Sequence, residues 1–169
     1  LETILLKKMQ LQLTVTRLAH QLLEEEESLS EVAFVGLQPR GIFISDAIVE
    51  EIRKLTPDKI DYGKLDITFY RDDFRKELHS ANSTEMSFSI ENKKVILIDD
   101  VLYTGRTIRA AMDALLDFGR PRAVKLCVLV NRRFNRELPI QPDYCGIVID
   151  SINSQKVKVN RETGEVILY

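Results

Sequence analysis

Four uninterrupted aliphatic residues, Val95-Ile96-Leu97-Ile98, run straight into two acids, Asp99 and Asp100, and on through Val101-Leu102-Tyr103-Thr104-Gly105-Arg106-Thr107. A continuous apolar run of that length reads as a strand buried on both faces, the kind found in parallel sheets covered by helices. The acids stand at its carboxyl end, where open α/β sheets place their ligands. The chain then enters a helix through Thr104, Gly105 and Thr107. Small, hydroxylated residues at a helix N-terminus let backbone N–H groups and side-chain hydroxyls converge on a phosphate. Two adjacent carboxylates would repel a ligand that was phosphate alone. They suit a phosphorylated sugar, whose hydroxyls donate to the acids while its phosphate lies one turn further on. A capped helix after a core strand explains the Thr and Gly but not the whole string. Neither common nucleotide fingerprint is present: no Gly-x-x-x-x-Gly-Lys-Ser/Thr and no Gly-x-Gly-x-x-Gly occurs.

The rest of the chain alternates two hydrophobic periods. Leu11, Val15, Leu18 and Leu22 share one helical face. Glu24 to Glu27 should end that helix as a solvated stretch, and acid there opposes the helix dipole, so fraying is expected. Val32 to Val35 reads as a buried strand stopping at Gly36. After Gly41 a helix runs through Ile44, Ile48, Ile52 and Leu55 to Pro57. Leu65, Ile67 and Phe69 read as a strand, as do Val95 to Ile98, Val124 to Val130 and Gly146 to Ile149. A helix over Thr107 to Phe118, with Ile108, Ala111, Met112 and Leu115 on one face, is stopped by Gly119 and Pro121. This alternation predicts an α/β fold on a mainly parallel sheet. Arg71 to Lys94 is the exception, a long polar loop of the kind that forms lids. Its alternative is an exposed hairpin, since Met86, Phe88 and Ile90 alternate.

Composition narrows the class. The chain has 169 residues, 44% hydrophobic and 30% charged, which predicts one globular domain over residues 1–169. Lys and Arg total 24 against 26 Asp and Glu, giving a net charge of −2 and a pI near 5.8, so nothing here coats nucleic acid by bulk charge. The apolar runs are far too short to span a membrane. Cys127 sits in an apolar run and reads as a buried thiol; with Cys145 it makes no disulfide framework. Leu1 is not an initiator Met and no signal-peptide pattern follows, which predicts a cytoplasmic protein starting inside a longer gene product.

Val95 to Thr107 resembles the phosphoribosyl-diphosphate (PRPP) binding motif of type I phosphoribosyltransferases. Further runs are similar, in the same order, to PyrR proteins: Thr16-Arg17-Leu18-Ala19-His20, Gly36-Leu37-Gln38-Pro39-Arg40-Gly41, Asp66 to Asp73, Asp100 through Thr107 to Asp113-Ala114-Leu115 and Gly119-Arg120-Pro121, and Arg136-Glu137-Leu138-Pro139-Ile140. PyrR proteins regulate bacterial pyrimidine operons and carry uracil phosphoribosyltransferase activity.

The resemblance implies a type I phosphoribosyltransferase fold with a flexible loop over 71–94 and a small hood within 131–169. It implies transfer of phosphoribosyl from PRPP to uracil, giving UMP and pyrophosphate, in a homodimer or higher homo-oligomer. Gln38, Pro39, Arg40 and Gly41 would hold the pyrophosphate, with Arg71 as a further partner. Asp99 and Asp100 would hold the ribose hydroxyls, and Tyr103, Thr104, Gly105, Arg106 and Thr107 the 5-phosphate. Mg2+ would be held mainly through substrate and water, with Asp99 and Asp100 at hand. His20 and His79 are not needed for the chemistry.

For an RNA leader, Thr16, His20 and Arg136 match positions the family uses, whereas Gln141 and Ile147 stand where basic residues are expected. Asn131-Arg132-Arg133-Phe134-Asn135 replaces the usual Asp-Arg-Gly-His with one residue added. Arg132, Arg133 and Arg136 read as a solvated run or a local phosphate patch. Two alternatives stay open: an attenuator of pyrimidine genes responsive to UMP and PRPP with little catalysis, or a transferase for another base.

Overall fold

The computed structural model describes residues 1–70 and 84–169. In chain order the elements are β1 (Thr3–Leu6), α1 (Lys8–Glu24), β2 (Val32–Gln38), α2 (Ile42–Leu55), β3 (Asp61–Asp66), β4 (Lys94–Leu102), α3 (Arg106–Leu115), β5 (Ala123–Arg133), β6 (Tyr144–Asp150), β7 (Val157–Asn160) and β8 (Glu165–Leu168). A short 3₁₀ turn covers Thr68–Tyr70. Five strands form one parallel sheet in the order β3-β2-β4-β5-β6.

The apolar runs alternate between the two faces of this sheet, as the period of a strand requires. Phe34, Ile96, Ile98, Cys127 and Leu129 pack beneath α1 and α2 with Leu18, Leu22, Ile44, Ile48 and Ile52. Ala33, Val35, Val95, Leu97, Leu126 and Val128 pack on the other face against Ile108, Ala111, Ala114 and Leu115 of α3. The helices therefore cover opposite faces. From β2 the chain moves through α2 to β3 on one side, and from β4 through α3 to β5 on the other. The crevice between the carboxyl ends of β2 and β4 is thus the switch point at which such sheets bind ligands.

The second sheet is small and antiparallel, in the order β1-β8-β7. It joins the N-terminal strand to the C-terminal hairpin. Residues 131–133 and 144–150 lie in the central sheet instead, so the hood expected within 131–169 is built from β7 and β8 plus β1.

Several boundaries differ from expectation for local reasons. The strand expected over 65–69 is β3, which stops at Asp66. There the Asp66 carboxylate accepts bonds from the Thr68 backbone N–H (3.0 Å) and hydroxyl (2.6 Å) and turns the chain out of the sheet. The helix expected to reach Phe118 ends at Leu115, and residues 116–118 close with three-residue turns onto Asp113, Ala114 and Leu115. The acidic end of α1 is exposed at Glu24, Glu25 and Glu27, as expected, but two of its acids have partners: the Tyr144 hydroxyl donates to Glu25, and the Lys94 ammonium pairs with the half-buried Glu26. Arg71 and His79 lie outside the described residues. The described end of the expected 71–94 loop is anchored. Glu85 exchanges two backbone bonds of 2.8 Å with Lys64, Ile90 is fully buried, and Lys94 already belongs to β4. Met86 and Phe88 turn the same way and pack against the core around Ile90, so the alternation is real; among the described residues it pairs with the sheet through one antiparallel bridge, Lys64 to Glu85.

Candidate active site

β4 does not stop at Ile98. It runs through both acids to Leu102, which draws Asp99 into the sheet. Asp99 is only 5% exposed, so although it stands toward the strand's carboxyl end it is buried, while Asp100 is half-buried. The Asp99 Oδ1 accepts the Asp100 backbone N–H at 2.9 Å, and the Asp100 Oδ1 accepts the Val101 N–H at 2.7 Å. These bonds orient the carboxyls without neutralising them. Burial first, and then the adjacent Asp100 charge, push Asp99 well above the usual carboxylate range, against the opposing pull of Arg40. Burial raises Asp100 as well. Such a pair is satisfied by a cation or by a ligand that donates hydrogen bonds to it.

The loop after β2 presses directly on this pair. A Cβ placed on Gly41 would lie 2.9 Å from Asp99 Oδ1, 2.9 Å from the Ile98 carbonyl and 2.7 Å from the Leu37 carbonyl. Only glycine admits so close an approach of the two loops. Gly41 also starts α2, its N–H bonding the Leu37 carbonyl at 2.8 Å. Pro39 and Arg40 are exposed beside it, and Gln38 is the last residue of β2.

The loop after β4 turns at Gly105, whose φ of +94° is a left-handed conformation that favours glycine, and α3 follows at once. Tyr103, Thr104, Arg106 and Thr107 are all half-buried around it. The Arg106 N–H bonds the Thr104 hydroxyl at 3.3 Å, and the Arg106 Nε donates to Glu137 at 2.6 Å. The structure thus brings 38–41, Asp99, Asp100 and 103–107 to the carboxyl end of the sheet.

Two arginines behave otherwise than the sequence implied. Arg132 is buried at 5% exposure: its Nε donates to the Ser151 hydroxyl at 2.8 Å and its Nη2 to the Ile152 and Gln155 carbonyls. Its guanidinium lies 3.9 Å from the centre of the Tyr103 ring, and the Tyr103 hydroxyl donates to Asn153 at 3.1 Å. Extending the two-residue period of β5 from Val130 to Arg132 would have turned it inward. Arg136 is turned onto the 103–107 loop, donating to the Tyr103 carbonyl and to Asn131 Oδ1. Arg133 is exposed but paired with Asp150 at 2.7 Å. The three arginines therefore form no common solvent-facing run. Thr16 and His20 stand one turn apart on α1, with His20 exposed.

No group of three or more His, Cys, Asp or Glu side chains able to hold a metal occurs among the described residues. No helix among them is long and apolar enough to cross a membrane. Cys127 and Cys145 are free thiols, and burial pushes Cys127 up to about 12.

Comparison with known proteins agrees with this geometry. The phosphoribosyl transferase domain model matches residues 3–162. Bifunctional protein PyrR of Limosilactobacillus fermentum is 42% identical over 153 residues, covering 88% of this chain and 85% of that protein. Bifunctional protein pyrR of Enterococcus faecalis is 45% identical over 152 residues, covering 88% and 83% respectively. Among solved structures, the hypoxanthine phosphoribosyltransferase of Trypanosoma cruzi in complex with IMP shares the fold at a TM-score of 0.72. It is 14% identical and covers 98% of this chain and 88% of that one. With a switch-point crevice, an acid pair at the end of β4 and a glycine-turned loop on a chain so closely related, the protein belongs to the phosphoribosyltransferase family, in its PyrR branch.

Proposed function

We propose that the chain transfers the phosphoribosyl group of PRPP to uracil, giving UMP and pyrophosphate. The observation that carries this reading is the contact between the two loops: Gly41 of the β2 loop lies against the Asp99 carboxyl, one turn before a helix-start phosphate loop. A ligand spanning them needs a hydroxyl-rich centre and phosphate at both ends, which describes PRPP. Relatedness to PyrR proteins favours uracil as the acceptor.

The chemistry needs no nucleophilic side chain. The bond from the anomeric carbon to pyrophosphate breaks, the electron pair leaves with the pyrophosphate, and positive charge develops on the ribose ring. A uracil nitrogen then bonds that carbon from the opposite face, and the proton it loses passes to the released pyrophosphate or to solvent. Backbone N–H groups and hydroxyls of 103–107 hold the 5-phosphate, and Gln38 to Gly41 hold the departing pyrophosphate, with Arg40 supplying charge. Asp99 and Asp100 accept bonds from the ribose diol and face the developing cation. Arg71, outside the described residues, is proposed as a further pyrophosphate partner within a closing loop.

Two raised carboxyls, with no third acidic ligand beside them among the described residues, suit a magnesium ion that keeps most of its bonds to substrate and water. When bound, the ion neutralises the leaving pyrophosphate. We place the reaction in the cytoplasm, in a homo-oligomer. Thr16 and His20 keep RNA leader binding open as a second activity.

The reading is tested by incubating the protein with PRPP, Mg2+ and a panel of bases and identifying the nucleotide formed. UMP as the main product is expected. Formation of a purine nucleotide in its place, or of none, would contradict it.

A further inference from the structure

The segment after β5 folds back over the phosphate loop and holds it from behind. The Thr104 carbonyl accepts two backbone N–H groups, from Glu137 at 2.9 Å and Leu138 at 3.2 Å. The preceding carbonyl, of Tyr103, accepts the Arg136 Nη1, while the Arg136 Nη2 donates to Asn131 Oδ1 at 2.6 Å. A Cβ on Gly105 would stand 3.3 Å from the Ile140 Cβ and 3.5 Å from the Arg136 Cδ, so both side chains close the back of the turn. Glu137 completes the strap through its pair with Arg106.

Two successive carbonyls of the loop are thereby fixed. In a planar trans peptide the N–H points opposite to the C=O. Fixing the Tyr103 and Thr104 carbonyls toward the strap therefore turns the Thr104 and Gly105 N–H groups away from it, toward the side on which a helix-start loop receives phosphate. We infer that Arg136 is a positioning residue for the 5-phosphate: its forked guanidinium ties β5 to the phosphate loop and presets the amides that bind the ligand. This rests on the reading of 103–107 as the 5-phosphate site. It differs from the role the family resemblance implied, a contact with RNA. Both of its acceptors lie within the chain, and the test below separates this role from an RNA contact.

The fork matters as much as the charge. Arg bridges two acceptors with a planar group, whereas the Lys ammonium sits on a flexible stem and reaches them less well. The role therefore separates from a general contribution to stability, because it concerns only ligands that carry the 5-phosphate.

The test compares UMP with uridine by titration calorimetry on the full chain, wild type, Arg136→Met and Arg136→Lys. Melting temperature and binding of a stem-loop RNA are read alongside. Wild type is expected to bind UMP more tightly than uridine. Misplacing a binding group by about an ångström costs up to about a hundredfold, so Arg136→Met should weaken UMP by ten- to a hundredfold and leave uridine unchanged. Arg136→Lys should recover only part of that loss. Full UMP affinity in Arg136→Lys overturns the forked role. An equal loss of UMP and uridine with a lowered melting temperature marks a general structural role and overturns it too. Unchanged UMP affinity in Arg136→Met together with lost RNA binding overturns it in favour of RNA contact. If wild type itself does not prefer UMP to uridine, the 5-phosphate reading fails, and the positioning role fails with it.

Discussion

Asp99→Asn and Asp100→Asn should each lower turnover with PRPP by about a hundredfold or more, the usual cost of removing an electrostatic contact to a developing charge. Asp99→Asn should also raise the melting temperature of the ligand-free protein at neutral pH. The second effect follows from the direction of the Asp99 shift. Burial and the Asp100 charge raise this carboxyl in the folded state, so the folded chain binds the proton more tightly than the unfolded one. Stability then falls as pH rises from the ordinary carboxylate range through the raised value, and above it the whole cost of the buried charge is present. An amide of the same shape avoids that cost and can still accept the Asp100 N–H. The gap between variant and wild type should therefore be widest at neutral pH and close as the pH falls toward about 4, where the unfolded carboxyl also takes up its proton. Steady-state rates with calorimetric melting across this range check both parts. Unchanged turnover in both variants, or a lowered melting temperature at neutral pH in Asp99→Asn, would contradict the account.

Gly41→Ala should lower kcat/KM for PRPP by about a hundredfold, comparable to the loss expected from misplacing a reacting group by an ångström. The added methyl would meet the Leu37 carbonyl at 2.7 Å and both Asp99 Oδ1 and the Ile98 carbonyl at 2.9 Å. Two of these are backbone atoms inside parallel strands and cannot move aside cheaply, so the β2 loop must lift from the acid pair. The φ of −74° at Gly41 suits alanine, which leaves crowding as the whole cause. The loop can lift without unravelling α2, so the protein should fold. Wild-type kinetics in Gly41→Ala would show that the two loops do not act as one site.

The parts of the fold legible in the sequence were those written in continuous periodicity. The runs Val32 to Val35 and Val95 to Ile98 are buried on both faces, and α1 buries Leu11, Val15, Leu18 and Leu22. The small sheet escaped because its strands are four residues long, too short for a two-residue period to stand out, and because β1 pairs with β8 across the whole chain length. The end of β3 turns on one side-chain cap at Asp66, which periodicity does not carry. The site residues were legible as a motif, but their burial was not. The acids were read at the carboxyl end of the strand, but hydropathy marks Ile98 as the last core position, whereas backbone pairing carries β4 on to Leu102 and draws Asp99 inside. The burial of Arg132 was missed for a related reason. Charge in a sequence predicts exposure, yet stacking on Tyr103 and neutral carbonyl acceptors hold Arg132 inside.

The most direct test of the central claim is a crystal structure of the protein with PRPP and Mg2+ bound. The 5-phosphate should lie on the backbone N–H groups of the Thr104 to Thr107 turn, the ribose hydroxyls within hydrogen-bond reach of Asp99 and Asp100, and the diphosphate over Gln38 to Gly41. Ligand bound elsewhere, for example in the cavity between α1 and α2 lined by Phe43 and Arg161, would contradict it.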